Sequence, residues 1–290
     1  MVSQNQAESR VEHLWELPDK GLTLMIDYKT ESEIQLIRES SLLVAKALGE
    51  VARYIRPGIS TILLDNIAEQ VIRDHGAVPG FKGYNGFSGT LCVSINDQVV
   101  HGIPGPTELR EGQIVSVDCG VLKDGYYGDS AYTFAVGEVD ENTRRLLNVT
   151  YQCLILGIEK AVEGNNLGDI SFAIQNHAEK AGYSVVRELV GHGIGRKLHE
   201  PPEVPNFGKR GKGIALRKGL VIAIEPMINM GKRFVIQDKD GWTIRTTDRK
   251  VSAHFEHTVA VGKEKAEVLS DFRYIEEALL FNKNNSVIIR

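Results

Sequence analysis

Residues 109–118 read Leu-Arg-Glu-Gly-Gln-Ile-Val-Ser-Val-Asp, and residues 216–225 read Leu-Arg-Lys-Gly-Leu-Val-Ile-Ala-Ile-Glu. The two stretches share Leu, Arg and Gly in register, continue with four small or β-branched residues, and end in a carboxylate. A short apolar run of this kind is typical of a buried strand. Its recurrence 107 residues later indicates an internal repeat.

Two further features recur in the same order. Two helical patterns are each bracketed by glycines 18 residues apart, Gly58 with Gly76 and Gly164 with Gly182. Residues 133–137 (Thr-Phe-Ala-Val-Gly) resemble residues 258–262 (Thr-Val-Ala-Val-Gly). We therefore predict two structurally similar halves, at about 31–147 and 148–265.

Helical patterns alternate with β-like runs, which predicts an α/β (α+β) fold. Thr30 and Glu33 form a capping box ahead of apolar residues spaced by three and four, so the first helix is expected to run from there to Pro57-Gly58. The remaining helices are predicted at about Ser60 to His75, at 141–162, and at 169–181 with Gly182 as the stop.

The composition is that of an ordinary folded protein. Of 290 residues, 42% are hydrophobic and 25% are charged, which excludes disordered, collagen-like and coiled-coil classes. The net charge is −4, and there is no long cluster of lysine and arginine. Stable binding to nucleic acid is therefore not expected.

The sequence favours a cytoplasmic protein. Its three cysteines are too few and too widely spaced for a disulfide framework, and no apolar run is long enough for a membrane span. Residues 1–25 are polar and acidic, and we interpret them as a flexible extension. The tail at 266–290 has an amphipathic stretch after Asp271, which is expected to pack on the body. Residues 26–265 would then form a single domain.

Four carboxylates lie at equivalent places in the two halves. Asp118 and Glu225 end the repeated strands, while Asp129 and Glu256 lie eight and six residues before Gly137 and Gly262. Because side chains two apart share a face of a strand, these residues are expected to point inward. Uncompensated burial of four charges is very costly, so divalent cations are the natural compensation.

A histidine completes this set. His192 lies within Gly-His-Gly-Ile-Gly at 191–195, where the glycines permit close backbone approach and positive φ. An imidazole among carboxylates suits Mn, Fe, Co or Zn better than Ca. Two such ions about 3.5–4 Å apart can activate a shared water, which predicts a hydrolase.

These residues resemble the metal ligands of the type I methionine aminopeptidases. The matching strings are Val-Asp-Cys-Gly (117–120), Gly-Tyr-Tyr-Gly-Asp-Ser (125–130), Gly-His-Gly-Ile-Gly (191–195), Ile-Glu-Pro-Met (224–227) and Phe-Glu-His-Thr (255–258). Two histidine motifs also match, Val-His-Gly-Ile-Pro at 100–104 and His-Glu-Pro-Pro at 199–202. The resemblance covers about 26–265. It implies the pita-bread fold, with two pseudo-symmetric αβ halves around a central curved antiparallel sheet.

The resemblance also implies roles for the residues. Asp118 and Asp129 would hold one divalent metal ion, His192 and Glu225 the other, and Asp129 and Glu256 would bridge both. The ions could be Co, Mn, Fe, Zn or Ni. Catalysis would then depend on Glu225, which would receive the proton of the attacking water, on His199 at the oxyanion, and on His101 at the scissile amide nitrogen.

By the same resemblance, an apolar pocket would hold the methionine side chain. Its expected lining is Phe81, Tyr84, Phe87, Cys92, Leu198 and Trp242. Aromatic rings and sulfur suit a polarizable thioether. Leu198 stands where the family would have a bulky aromatic residue. The implied activity is removal of the N-terminal methionine from nascent chains and peptides when the second residue is small.

Three alternatives remain open from the sequence. One is a proline-directed relative, an aminopeptidase P or prolidase, although those usually carry a large N-terminal domain. Another is a non-enzymatic pita-bread binding module, and the third is a metal-independent creatinase-like hydrolase; both usually lack the ligands. We expect a monomer that has N-terminal Met peptides as partners, makes at most transient contact with the ribosome, and binds no membrane.

Overall fold

The computed structural model describes residues 25–281. Apart from Met25, the predicted extension lies outside the described residues, as does the end of the tail. The helices in the described part are α1 (Glu31–Ala52), α2 (Thr61–Asp74), α3 (Glu141–Ile158), α4 (Leu167–Lys180) and α5 (Arg273–Phe281), with a 3-10 turn at Tyr84–Gly86. The strands are β1 (Val78–Pro79), β2 (Leu91–Ile95), β3 (Gln98–Val100), β4 (Ile114–Lys123), β5 (Tyr126–Ala135), β6 (Ser184–Val185), β7 (Gly191–Gly193), β8 (Glu200–Val204), β9 (Val221–Ile224), β10 (Met227–Asn229), β11 (Val235–Gln237), β12 (Ile244–Thr246), β13 (Ser252–His254), β14 (His257–Ala260) and β15 (Glu267–Val268).

The predicted capping box at the start of α1 is present. Glu33 N–H donates to Thr30 Oγ1, while the Glu33 carboxylate accepts from Thr30 N–H at 3.0 Å. The helix ends at Ala52, however, and not at Pro57 as expected. Proline disfavours helical backbone at the residue before it and removes an N–H donor, so the chain leaves the helix a turn earlier.

The other predicted helices form with small shifts at their ends. The third ends at Ile158, four residues earlier than expected. The fourth begins at Leu167, two residues earlier, because Asn166 and Asp169 form a capping box there. Gly182 follows this helix with φ of 88°, the left-handed backbone that a glycine stop requires.

Each half consists of antiparallel strands and a helix pair. The first half has the order β1-β4-β2 with β5 paired to β4, and the second has β15-β14-β9-β7-β8. The helix pairs α1 with α2 and α3 with α4 contribute to one apolar core together with these strands. Two three-stranded sheets, β13-β10-β6 and β11-β12-β3, complete the architecture. The predicted α/β fold class with two antiparallel halves is confirmed.

Side-chain hydroxyls connect the two halves where β5 meets β14. Thr258 Oγ1 donates to the Asp129 carbonyl at 2.8 Å, and Ser130 Oγ donates to the Glu256 carbonyl at 2.7 Å. The backbone N–H of Glu256 donates to Ala131 O at 2.9 Å. The backbone positions of Asp129 and Glu256, one from each half, are thereby fixed relative to each other.

The amphipathic stretch predicted after Asp271 forms α5. Its buried residues Ile275, Ala278 and Leu279 join the main core. Gly49 of α1 permits the approach, since a Cβ there would lie 2.8 Å from the carbonyl oxygen of Tyr274.

Within residues 25–281, every helix is too short or too polar to span a bilayer.

Candidate active site

The hairpin of β4 and β5 directs two carboxylates to the same face. Asp118 pairs with Ala131, and Asp129, two residues before Ala131, pairs with Gly120. Cross-strand partners share a face, as do residues two apart, so both aspartates point the same way. The ring of Phe81 packs at Gly120, opposite Asp129, within 2.5 Å of the position that a Cβ would take there. Only glycine leaves space for the ring at this point.

The second half contributes the other three side chains. Glu225 directly follows β9, His192 is the central residue of β7, and Glu256 directly precedes β14. The glycines beside His192 allow neighbouring backbone to approach closely, because a Cβ at Gly191 or Gly193 would lie 2.3 Å from a backbone oxygen. Positive φ, the second reason expected for these glycines, is not observed at either of them.

All five predicted ligands meet in one cavity. Ligand atoms of Asp129, His192 and Glu256 lie within 4.8 Å of one another. His192 Nε2 is 3.9 Å from Asp129 Oδ2 and 3.7 Å from Glu225 Oε1. The cavity has a volume of about 40 Å³ and is lined by Phe81, Phe87, Cys92, His101, Asp118, Asp129, His192, His199, Glu225, Trp242 and Glu256.

The oxygen atoms in this cavity are suited to a cation. Within the part of the chain that the structure describes, Asp118 Oδ1, Asp129 Oδ1 and Glu256 Oε1 are buried and have no hydrogen-bond partner. Buried polar atoms are normally satisfied, so three such oxygens at one place indicate a site that can bind a cation. The donor set of carboxylates and one imidazole fits divalent transition metals.

Electrostatics leads to the same conclusion. Burial raises the pKa of Asp118 to about 7, against the opposing effect of hydrogen bonds from Asp129 and from the Cys119 backbone. Burial also holds the pKa of Asp129, Glu225 and Glu256 well above its usual range, and the neighbouring carboxylates raise it further. The four carboxyl groups therefore favour a proton or a cation over bare ionisation.

Burial favours the neutral form of the histidines in the site. Burial lowers the pKa of His101 and His192 to about 4, and it lowers the pKa of His199 well below its usual range. A neutral imidazole can coordinate a metal ion or donate one hydrogen bond.

His101 and His199 are both held in unusual surroundings. His101 has φ of 59°, while the next residue, Gly102, lies so close to β2 that a Cβ would be 2.1 Å from Val93 O. Backbone strain of this kind concentrates at functional sites. His199 Nδ1 lies 3.0 Å from the Tyr84 hydroxyl, and its ring centroid is 4.2 Å from that of His192.

The residues predicted for the methionine pocket form one apolar cluster. Phe81, Phe87, Cys92 and Leu198 are buried in it, and Tyr84 and Trp242 pack against it. Phe87 and Trp242 meet edge to face with centroids 5.0 Å apart. Tyr84 and Leu198 are not among the residues that line the cavity: the Tyr84 hydroxyl contacts His199, and Leu198 is buried within the cluster.

One side chain beside these residues, His254, was not predicted from the sequence. It is buried, its Nε2 lies 3.8 Å from Glu225 Oε2, and burial lowers its pKa to about 3. Neither ring nitrogen has a hydrogen-bond partner among the described residues. His254 precedes Glu256 by two residues, so the period of a strand could have indicated it.

Comparison with known proteins agrees with this geometry. The model of metallopeptidase family M24 matches residues 35–263. A methionine aminopeptidase of Clostridium perfringens is 50% identical over 246 residues, which cover 85% of this chain and 99% of that protein.

Solved structures support the same relationship. The crystal structure of a methionine aminopeptidase from Thermotoga maritima is similar with a TM-score of 0.84 and 43% identity, covering 85% of this chain and all of that one. A prolidase from Pyrococcus furiosus has a TM-score of 0.67 at 20% identity, covers 84% of this chain and 65% of its own, and shares the fold alone. The chain therefore belongs to metallopeptidase family M24 and, within it, to the methionine aminopeptidases.

Proposed function

We propose that this enzyme removes the N-terminal methionine from peptides and nascent proteins whose second residue is small, with two divalent metal ions. One observation carries the proposal: four carboxylates and an imidazole converge in one cavity, beside an apolar cluster that can receive a thioether. M24 enzymes are metallopeptidases, so a divalent cation is part of the family chemistry.

The residues present fit two cations. Asp118 and Asp129 would hold one, His192 and Glu225 the other, and Asp129 and Glu256 would bridge them. The unpartnered oxygens and the neutral imidazole support this assignment. The chemistry suits Co, Mn, Fe, Zn or Ni. When bound, such ions supply Lewis acidity and a nucleophilic water at neutral pH.

The protein side chains would move the protons and stabilise the charge. Glu225 accepts the proton of the attacking water and delivers it to the leaving amine. His199 donates a hydrogen bond to the carbonyl oxygen as negative charge develops there, and His101 contacts the amide nitrogen.

The contact between Tyr84 and His199 supports this role. If the Tyr84 hydroxyl donates to Nδ1, 3.0 Å away, the neutral ring carries its own proton on Nε2. That tautomer offers a donor to the substrate.

Substrate choice follows from the pocket. Phe81, Phe87, Cys92 and Trp242 line the cavity with apolar surface, while Tyr84 and Leu198 belong to the same apolar cluster. An apolar lining of this kind suits the methionine side chain, because contact with the thioether leaves no polar group unsatisfied. We also propose that the enzyme works as a monomer in the cytoplasm, with transient access to nascent chains at the ribosome.

A peptide panel tests the proposal. Met-Gly, Met-Ala and Met-Ser peptides should each lose one residue, whereas Met-Lys, Met-Leu and acetyl-Met-Ala peptides should be poor substrates. An acetylated amine cannot bind a metal ion, and a bulky second residue would displace the scissile carbonyl, where about 1 Å can cost 10²-fold in rate. Mass spectrometry of the digested mixture reads out all peptides at once.

The panel also contains peptides that test for the competing activities. X-Pro peptides should remain intact, and enzyme stripped with a chelator should regain activity with Mn, Co or Fe. Preferential release of residues ahead of proline would favour a proline-directed peptidase. Indifference to the first side chain would favour a broad aminopeptidase.

A further inference from the structure

A buried ion pair connects the segment before α1 to the loop that carries His199. The Lys29 side chain is only 1% exposed, and its Nζ lies 2.6 Å from Glu200 Oε2 and 2.7 Å from Asp27 Oδ2. The backbone N–H of Lys29 donates to Gly219 O at 2.6 Å, which fixes the base of the side chain. The two charges are 171 residues apart in sequence.

Glu200 is placed to control the loop at 194–199. It directly follows His199, begins β8, and pairs through its backbone with Gly193 of β7. Its second oxygen, Oε1, accepts the backbone N–H of Lys197 at 2.9 Å. The Glu200 carboxylate therefore makes two contacts. Oε1 accepts a backbone N–H inside the loop, and Oε2 pairs with the Lys29 ammonium.

The loop is closely packed against the lysine side chain. A Cβ at Gly195 would lie 2.4 Å from Lys29 Cε and 3.0 Å from Glu200 Oε1. Gly195 O also accepts the N–H of Tyr127 at 2.8 Å. The loop therefore has little freedom to shift relative to Lys29.

This arrangement constrains the residue that directly follows His199. A buried ion pair contributes little net stability compared with apolar side chains of similar size, but it constrains geometry because each charge must stay near its partner. The constrained carboxylate here lies one residue after His199, and the loop connects His199 to His192.

We propose that Lys29 is a positioning residue for His199. Through Glu200 it holds the loop at 194–199 so that the imidazole meets the carbonyl oxygen of the substrate in the transition state. The inference deepens the proposed function and rests on it for the reaction step.

The first test replaces Lys29 with Met. Lys29→Met should lower kcat about 10- to 100-fold, the range expected for a catalytic group displaced by up to about 1 Å, with little change in KM or metal content. In a His199→Ala background the same substitution should change kcat less than about twofold, because the group it positions is gone. Lys218→Met is the matched control, since it breaks a 2.6 Å ion pair with Glu31 at the surface and should leave kcat unchanged.

A second variant separates positioning from stability. Lys29→Met alone leaves the Glu200 carboxylate buried without its cation, so a folding defect could also lower activity. The double variant Lys29→Met/Glu200→Gln removes that charge and keeps an oxygen for Lys197 N–H. A positioning role predicts that its melting temperature recovers while kcat stays low. Recovery of both, or an equal kcat loss with and without His199, would overturn the proposal.

Hydrogen exchange gives a readout that does not depend on turnover. The backbone amides at 194–199 should exchange faster in the double variant than in the parent protein. The exchange rates in the flanking strands β7 and β8 should be unchanged. Unaltered exchange in this loop would contradict the positioning role even if the parent protein released no methionine. Failure of the parent protein on the peptide panel would instead contradict the proposed function.

Discussion

At the scale of single residues, the site depends on carboxylates that are stable only with a counterion. Glu256 is 2% exposed, and one of its oxygens has no hydrogen-bond partner among the described residues. Replacing an outer partner of a metal site typically costs 10–100-fold in metal affinity. Loss of Glu256 itself, which we propose as a ligand shared by both ions, should cost more.

Glu256→Ala should therefore empty at least one metal position and abolish most activity, while the fold is retained. Elemental analysis of the desalted variant, with circular dichroism for the fold, measures this. The exposed Glu203, on β8 opposite His192, provides a control in Glu203→Ala, which should keep both ions. Full occupancy with normal turnover in the Glu256 variant would remove Glu256 from the site.

His199 is expected to act on kcat. Loss of one donor to a developing oxyanion typically costs about 10²–10³ in kcat, or roughly 3–4 kcal/mol. His199→Ala should accordingly lower kcat far more than it raises KM, with metal content preserved. Steady-state kinetics on Met-Ala peptides measures this, with His75→Ala on the exposed end of α2 as the control. An unchanged kcat would assign His199 to structure.

At the scale of elements, local signals predicted most of the architecture. The capping box of Thr30 and Glu33 identified the start of α1, and Gly182 identified the end of α4, because both depend on neighbouring backbone atoms. The repeated strands predicted that Asp118 and Glu225 occupy equivalent positions in the two halves. Part of the site could therefore be predicted from the sequence.

What the sequence did not predict depends on tertiary contacts. The pairing of Lys29 with Glu200 spans 171 positions, and no local pattern encodes it. Close backbone approach was predicted for the glycines at 191 and 193, but not that the atoms approaching them are the carbonyl oxygens of Ala223 and Pro201. His254 was missed because its burial against Glu225 depends on how β13 packs, although the period of two was visible.

The capping box has a consequence for acid stability. Glu33 Oε1 accepts the Tyr126 hydroxyl at 2.6 Å, and this bond, followed by those from Thr30, lowers the pKa of Glu33 from 4.5 to about 2. A depressed carboxyl pKa stabilises the fold above the unfolded value near 4.5, and this stability is lost as pH falls towards 2.

Tyr126→Phe should therefore destabilise the protein by about 1–2 kcal/mol near neutral pH, with a smaller difference from the parent protein at pH 3. Urea unfolding at several pH values measures this. In a Glu33→Gln background the pH dependence of the difference should disappear. A difference that is constant from pH 7 to 3 would mean that Tyr126 acts through packing alone.

At the scale of the whole molecule, the two halves meet at a cluster of like charges. Hydroxyl contacts such as Thr258 Oγ1 to Asp129 O join the halves, but the carboxylates on the two sides repel each other when ionised. Cations bound between the halves would attract the carboxylates of both sides and so offset this repulsion. Metal binding and folding are therefore expected to be coupled.

This coupling predicts how the metal-free protein responds to pH. The pKa of Asp118 is raised to about 7 in the folded state without metal, against 3.8 for an unperturbed group. A raised carboxyl pKa contributes stability that is lost as pH rises through the folded value, because the folded state must then give up a proton it holds more tightly than the unfolded chain does.

Bound cations replace these protons and should abolish the loss. Buried histidines whose pKa is lowered act in the opposite direction over the same pH range, so the measurement compares the protein with and without metal: the rise in melting temperature caused by a fixed concentration of Mn should grow from pH 6 to pH 8. Titration calorimetry in two buffers of different ionisation enthalpy at pH 7 should also detect proton release on Mn binding. A buffer-independent heat, or a rise in melting temperature with Mn that is the same at pH 6 and pH 8, would mean that the folded metal-free protein does not hold these protons near neutral pH.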